Sequence, residues 1–463
     1  MALAELFAVG LVVAVCTSLM AGYPVALTLG GVSLACAMLG HLLGLMDVGI
    51  LGALPQRIYG VITNQVLLAV PLFVFMGVML ERAGVAEDLL ETMGRLFGPL
   101  RGGLGISAVI VGTLLAAAKG VVGATTVTLG LIILPAMVRF GYDRRLAAGT
   151  VAATSTLAQI FPPATVLVLL GDQLGNSYQA AQLAKGIFAP RSLTVSDLFA
   201  GALIPGFALV GLYLVFLIAV AFLKPQASPA LPRDKTGTRG LALAARLVAV
   251  LVAPLALIVA VLGSILGGIA TPTEAGSIGA VGAVLLAARK GALRAALRPV
   301  VEKTTQIVGM IFLILIGATV FSLVFRALGG DVMVERTLTN LPGGVDGAIL
   351  IVMLAMFLLG FVMDAFEIIF VVVPIVAPPL LQMPGVDPVW LGIMMAMNLQ
   401  TSYMHPPLGP TLFFLRGVAP REITTRDIYV GILPFVAIQL CALAVLWRWP
   451  ALATSLPHAL YGR

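Results

Sequence analysis

Long apolar runs alternate with short polar breaks along almost the whole chain. They sit at roughly 4–22, 24–44, 65–81, 103–118, 121–138, 145–171, 197–224, 241–266, 270–288, 303–326, 346–362, 366–382, 388–415 and 428–448. A bilayer crossing takes about 20 apolar residues. The runs 103–118 and 121–138 fall short of that, as do 346–362 and 366–382, and each pair is parted by a brief break, AAAKGVVGATT in the first and GFVMDAFEI in the second. Such pairs read as re-entrant half-helices. Two longer runs carry proline pairs instead: Pro162-Pro163 in TLAQIFPPATV and Pro406-Pro407 in SYMHPPLGPTL. Proline removes a donor and clashes with the preceding turn, so each helix should unwind there. Freed backbone at membrane depth is tolerated only where it lines a cavity or is covered by protein. The pattern predicts an all-α polytopic membrane protein with about ten spanning helices and two re-entrant hairpins.

These features recur at a constant spacing. Asp143 and Asp387, Pro162 and Pro406, Pro135 and Pro379, and Arg82-Ala83 and Arg326-Ala327 all stand 244 positions apart. The chain therefore contains a duplicated unit: an amphipathic arm (81–100, 325–344), a hairpin and a proline-broken helix. The expected organisation is 1–81 as scaffold helices, 82–171 as the first repeat and 172–325 as connecting helices. The second repeat is 326–415, and 416–463 a C-terminal helix. Five crossings separate the first broken helix from the second hairpin, an odd number, so the second copy is inverted. Placing the basic loops 224–246 and 289–303 in the cytoplasm puts 19 basic residues inside against 7 outside, with Lys119 at a hairpin tip. If the proline segments were the re-entrant tips instead, the division would be 16 against 10. The positive-inside bias prefers the first reading, which leaves the N-terminus periplasmic. The loop 225–240 (PQASPALPRDKTGTRG) is the one linker-like stretch, and the first apolar run reads as a retained span and not a cleaved signal.

Composition narrows the function. Of 463 residues 60% are hydrophobic and 10% charged, with mean hydropathy +1.11. A water-soluble enzyme is excluded. Three cysteines in apolar runs and three scattered histidines offer neither a disulfide framework nor a metal cluster. The net charge of +7 is explained by cytoplasmic loops and needs no nucleic acid.

Inverted repeats with broken helices point to a secondary transporter, whose sites lie near the midplane between repeats. Half-helix N-termini attract anions, and unwound carbonyls with hydroxyl or amide oxygens suit a hard cation. Thr125, Thr126, Thr154, Ser155, Thr156 and Gln159 supply such oxygens beside the first break, and Asn398, Gln400, Thr401 and Ser402 beside the second. Each hydroxyl alone is equally explained as interhelical glue; the clustering beside both breaks makes the set a candidate. Asp364 and Glu367 in the second hairpin break are intramembrane carboxylates and hence candidates, Asp364 having a helix cap as its alternative and Glu367 fitting a cap less readily. Lys119 attracts an anion or snorkels to an aqueous pocket. His405 is a conceivable proton relay, but bonding to freed backbone is the simpler reading. Glu274 in ATPTEAGS reads as part of a cap with Thr271 or Thr273.

The segments LPAMVRFGYDRRLAAGTVAATSTLAQIFPPATVLVL, GGIATPTEAGSIGAV and VDPVWLGIMMAMNLQTSYMHPPLGPTLFFLRGVAP, with MDAFEI, resemble the large membrane subunit of tripartite ATP-independent periplasmic (TRAP) transporters, in the branch for dicarboxylate, mannitol or chloroaromatic uptake. The resemblance covers nearly the whole chain. It implies an elevator-type, Na⁺-coupled importer of an organic acid in a bacterial inner membrane, with Na⁺ as coupling ion and no cofactor. A small four-helix membrane subunit, expected as a separate chain, and a periplasmic substrate-binding protein would be its partners. Carried over, the cation and substrate sites fall on Gly120, Gly123, Thr125, Gln159 and Pro162, then Asp364, Thr401, Ser402 and Pro406. Thr126, Thr156, Glu367 and Asn398 are further candidates, and Lys119 stands where relatives carry a small hydroxyl residue. The alternatives are a proton-coupled anion carrier acting alone, through Asp364, Glu367 and His405, or a non-transporting scaffold subunit.

Overall fold

The computed structural model describes residues 3–231 and 241–462, with only the backbone for Ala86, Lys119, 241–247 and 249. Most of the loop 225–240 and the Lys119 side chain thus lie outside the described residues. Among the described residues every regular element is helical. The first half runs α1 (Leu3–Met20), α2 (Val25–Leu42), α3 (Leu54–Ile62), α4 (Ala69–Arg82) and an arm, α5 (Val85–Phe97). A hairpin follows, α6 (Gly103–Lys119) and α7 (Val122–Arg139), then a broken helix, α8 (Arg144–Thr156) and α9 (Thr165–Ala184), and α10 (Val195–Leu223). The second half begins with α11 (Leu241–Leu266), α12 (Pro272–Arg289), α13 (Leu293–Ala327) and an arm, α14 (Gly330–Thr339). Its hairpin is α15 (Gly344–Leu359) with a return arm in two pieces, α16 (Ala365–Val371) and α17 (Val373–Gln382). The broken helix α18 (Pro388–Ser402) and α19 (Pro410–Val418), α20 (Thr425–Arg448) and α21 (Ala451–Tyr461) complete it.

Local chemistry starts these helices in matching ways. Asp143 accepts from the amides of Arg145 and Leu146 at the head of α8, and Asp387 from those of Val389 and Trp390 at the head of α18. Thr194 with Asp197 and Thr424 with Asp427 form capping boxes on α10 and α20. Thr271 and Glu274 do the same on α12, the cap expected from the sequence. The return arm of the second hairpin bends by 56° between α16 and α17, where Pro374 can donate no backbone hydrogen bond.

The two halves exchange helices. α2 packs on α13 and α12 on α4; α9 lies on α17 and α19 on α7; α10 meets α18 and α20 meets α8. A Cβ placed on Gly201 of α10 would come within 2.6 Å of Val389 Cγ1, and one on Gly431 of α20 would collide with the Arg145 carbonyl oxygen. Val389 and Arg145 stand 244 positions apart, so the duplication reaches beyond the proline-broken helices into α10 and α20.

Polar helix ends gather on two faces, separated by the length of α10, about 43 Å at 1.5 Å per residue. On one face Lys290 pairs with Asp88, Arg145 with Asp427, and the Leu231 amide donates to Gly98 O. On the other, Arg336 pairs with Glu5 at 2.7 Å, Trp447 Nε1 donates to Asp346, and Thr273 donates to Gln65 O. Each hairpin returns to the face it left. The amides of Gly102 and Asp143, flanking the first hairpin, donate to Ser228 O and Ala227 O of one loop. Asp346 in the first turn of α15 accepts from Trp447, and Trp390 after the return arm donates to Leu446 O. Each arm in turn touches its hairpin and the outer helices: α5 meets α6 and α11, α14 meets α17 and α1.

Six described helices are long and apolar enough to cross a membrane, α7 among them, although the sequence marked 121–138 as too short; the number is eight if each of two bent pairs, one of them α16 with α17, counts as one. The sequence count of about ten crossings also includes the broken helices, whose halves are too short individually. Three further departures share one cause. α9 runs on to Ala184, α13 begins at Leu293, and α3 and α21 carry no long apolar run. Helical hydrogen bonding continues past the point where hydropathy ends, so apolarity marks only the embedded part of a helix.

Gly201 and Gly431 allow the half-to-half exchange. Gly431→Ala should lower thermal stability in detergent by about 1–3 kcal/mol, as overpacking does, or abolish folded protein. Gly211→Ala, where a Cβ meets nothing within 4 Å, should leave it unchanged or raised. Equal melting temperatures for Gly431→Ala and wild type would contradict the exchanged packing.

Candidate functional site

The first half builds its site where a hairpin tip meets a helix break. α8 closes in a tight turn, Leu157–Gln159, and the chain is non-helical from Ile160 to Ala164 before α9 starts. Gly120 ends α6 at φ +60°, a conformation that favours glycine. A Cβ there would stand 3.1 Å from the Thr165 amide nitrogen and 3.2 Å from Pro163 O, so the tip approaches the break backbone to backbone. The turn Leu157–Gln159 packs against α6 and α7. Thr154 Oγ1, Gln159 Oε1 and Thr165 Oγ1 are buried here with no hydrogen-bond partner.

The second half repeats the arrangement. α18 stops at Ser402, the chain is non-helical from Tyr403 to Gly409, and a Cβ on Gly360, at the tip, would collide with Ser402 Oγ. Both proline pairs, Pro162-Pro163 and Pro406-Pro407, are cis. The His405 ring lies 4.9 Å from the ring centroids of Phe357 and Phe361, at the end of α15. Aromatic packing holds this imidazole, its Nδ1 is buried without a partner, and the ring bonds to the backbone of Pro406 in the break, as the sequence pointed to. Asp364 caps α16: its carboxylate accepts from the Ala365 amide at 2.5 Å, and Glu367 Oε2 accepts from the Asp364 amide at 3.0 Å. Glu367, harder to explain from the sequence, is the reciprocal half of a capping box.

The junctions meet at a buried polar cluster. Gln400 Nε2 donates to Thr156 Oγ1 at 3.4 Å, and these residues are equivalents, 244 positions apart. A residue touching its own equivalent is what a two-fold axis between the halves requires. Gln439 Nε2 donates to the same Thr156 oxygen at 3.2 Å and to the Tyr213 hydroxyl at 2.7 Å. Thr156 also donates to Ala153 O, so its hydrogen and both lone pairs are engaged. Thr125, Thr126, Thr401 and Ser402 differ: each donates its hydrogen to a carbonyl of its own helix at 2.8–2.9 Å, leaving its oxygen to face an electropositive group. Asn398 ties α18 to α15 through Met353 O at 2.7 Å. Gly123 brings the hairpin against the opposite half, where a Cβ would lie 3.0 Å from the Phe414 ring.

Gly120, Gln159 and Pro162 therefore gather at one junction, with Thr125 and Thr126 within the first turn of α7. Ser402, Thr401 and Pro406 gather at the other, with Asp364 at its tip. Sequence reasoning missed Gln439, Tyr213 and Thr165. Gln439 had a signal, an amide alone in the apolar stretch PFVAIQLCALAVL, of the kind that seeks a partner inside the bundle.

A family model described as the DctM component of the tripartite ATP-independent periplasmic transporter matches residues 11–452. The chain is 28% identical to the C4-dicarboxylate TRAP transporter large permease protein DctM of Rhodobacter capsulatus, over 85% of this chain and 87% of that protein. It is also 28% identical to the protein of the same name from Vibrio cholerae, over 95% of each. Among solved structures it shares the fold of the Alcanivorax borkumensis YdaH transporter, with TM-score 0.60 and 16% identity, covering 87% of this chain and 88% of that one.

Asn and Asp cap helices about equally well. Asp364→Asn should therefore melt within about 0.5 kcal/mol of wild type, while Asp364→Ala should lose about 0.5–2 kcal/mol. Identical melting of the alanine variant and wild type would refute the capping role.

Proposed function

The chain belongs to the DctM component family of tripartite ATP-independent periplasmic transporters, and from that premise we propose that it is the Na⁺-coupled large permease subunit of an organic-acid importer. Its apolar spans and its family make it a multi-pass membrane protein, and its relatives are named transporter permeases, which are not enzymes. The observation that carries the proposal is the pair of tip-against-break junctions, each presenting buried oxygens without partners: Thr154, Gln159 and Thr165 in one half, Gln400 and Thr411 in the other.

The chemistry follows from those oxygens. A hydroxyl that has given its hydrogen to its own helix offers only lone pairs, which suits Na⁺ and repels an anion. Thr125, Gln159 and Gly120 would hold one ion, and Thr401, Ser402 and the tip at Asp364 a second. Bound cations then offset the carboxylate charge of the substrate, which meets the half-helix N-termini of α9 and α19. Because the hairpins and broken helices pack on one another, they form a body able to move past α2, α4, α12 and α13, the elevator reading, with the arms α5 and α14 as braces. A cavity of about 960 Å³ between α9, the 190–194 loop with the start of α10, and the α11–α12 turn opens beside that boundary. The protein would reside in the inner membrane with its N-terminus periplasmic. A small membrane subunit would hold the outer helices, and a periplasmic binding protein would deliver the acid.

In proteoliposomes holding both membrane subunits and fed by the loaded binding protein, uptake should follow an inward Na⁺ gradient at clamped pH. Ser402→Ala should raise the Na⁺ concentration for half-maximal uptake about tenfold, the factor that 1.4 kcal/mol represents. Uptake driven by a proton gradient without Na⁺, or by this chain alone, would replace the proposal with a proton-coupled carrier. Single cysteines at Gln226 and Phe188 should label from the cytoplasm and the periplasm respectively; labelling of both from one side would refute the orientation.

A further inference from the structure

The face bearing Glu5 and Asp346 has few basic residues, and three of them are engaged. Lys185 Nζ donates to Leu381 O, Arg336 pairs with Glu5, and the Arg448 guanidinium lies 5.8 Å from the Trp449 ring centroid. Two others converge. Arg57 of α3 and Arg326 near the end of α13 line one cavity of about 260 Å³, together with Asn176, Ser177 and Ser322. No Asp or Glu lines it, and neither guanidinium pairs with a carboxylate among the described residues. The nearby Asp172 is already engaged, accepting from Asn64 at 2.8 Å and from Gln173 at 2.9 Å.

Two guanidiniums that line one open cavity with no carboxylate on its wall give a small anion two positive groups to bridge. Both are forks suited to carboxylate oxygens. The volume lies below the 300–1,000 Å³ or so of drug-sized pockets, which matches a small acid. The cavity also spans two bodies. Arg57 and Arg326 come from α3 and α13, which pack together, whereas Phe370, Pro374 and Pro378, which also line it, belong to the second hairpin, packed on α9. Arg326 Nη2 reaches across to Pro374 O at 3.3 Å.

We propose that this cavity is a receiving site for a small dicarboxylate, held by Arg57 and Arg326 with neutral hydrogen bonds from Asn176, Ser177 and Ser322, before the acid reaches the hairpin tips. It rests on the organic-acid reading above and lies apart from the junction residues. A bound anion bridges the two bodies, so occupancy is tied to their relative position.

The test uses the full chain in phosphatidylcholine nanodiscs, modified with phenylglyoxal and read by peptide mass spectrometry at Arg57 and Arg326. Millimolar succinate should protect both residues at least about fivefold, while succinamide, or NaCl of equal ionic strength, should not. Protection only when phosphatidylglycerol is present would assign the cavity to a lipid headgroup, and no protection, or equal protection by NaCl, would also overturn the proposal. In the assembled transporter Arg57→Gln, an exposed position, should raise KM for the transported acid at least about tenfold and leave the maximal rate and Na⁺ dependence unchanged. A wild-type KM in that variant overturns the receiving site while the Na⁺-coupled reading stands. Loss of Na⁺ dependence in the wild-type transporter sinks that reading and leaves the protection result intact.

Discussion

A backbone amide or carbonyl in hydrocarbon has no water to turn to, so a helix that stops at mid-depth must find protein to cover its ends. α8 and α18 both stop inside the helix bundle, at Ile160–Ala164 and Tyr403–Gly409. The two hairpins exist in the form they have because each covers one of those gaps. Gly120 comes up tightly against Thr165 and Pro163 at a positive φ, and Gly360 against Ser402 at a distance that leaves no room for a side chain. The shortness of α6 and α15 follows, since the outgoing arm of a covering hairpin needs to reach only as far as the break it covers.

Covering the breaks also dictates how the halves interlock. The far half of each broken helix must pack on something beyond its own hairpin, and what it meets is the hairpin of the other half: α9 on α17, α19 on α7. The exchange extends outward to α10 with α18 and α20 with α8, admitted by Gly201 and Gly431. At the centre, Thr156 and Gln400 touch across the relation that makes them equivalents. Neither half can bury its breaks alone, and the arms, tied by Asp88 to Lys290 and by Arg336 to Glu5, hold the interlocked body against the outer helices.

The same constraint leaves chemistry behind. A covered break collects oxygens that the fold does not fully use, and Gln159, Thr165, Gln400 and Thr411 are buried in that condition. Thr125, Thr126, Thr401 and Ser402 spend their hydrogens on their own helices and keep their lone pairs. Interhelical glue and candidate ligand are therefore two aspects of one hydroxyl, and geometry separates them only at Thr156, where both lone pairs are taken.

By itself the sequence determined whatever is local or periodic. Apolar runs marked the embedded helices, proline pairs marked the breaks, and the constant spacing of 244 marked the duplication, because each depends on residue type or on counting. Thr271 and Glu274 could be read as a cap because a cap is decided within one turn. What joins segments far apart was decided only by tertiary structure. The exchange of α10 and α20 depends on how closely Gly201 and Gly431 let other helices approach, and that distance is written in no single segment. Gln439 reached Thr156 and Tyr213 through packing, 283 and 226 positions away. Glu367 was legible as an intramembrane carboxylate but became a cap only once the α16 backbone turned its amides toward it. The gathering of Arg57 and Arg326 was illegible for the same reason: charge along the chain says which face a residue occupies, and only the packing of α3 on α13 says which two share a cavity.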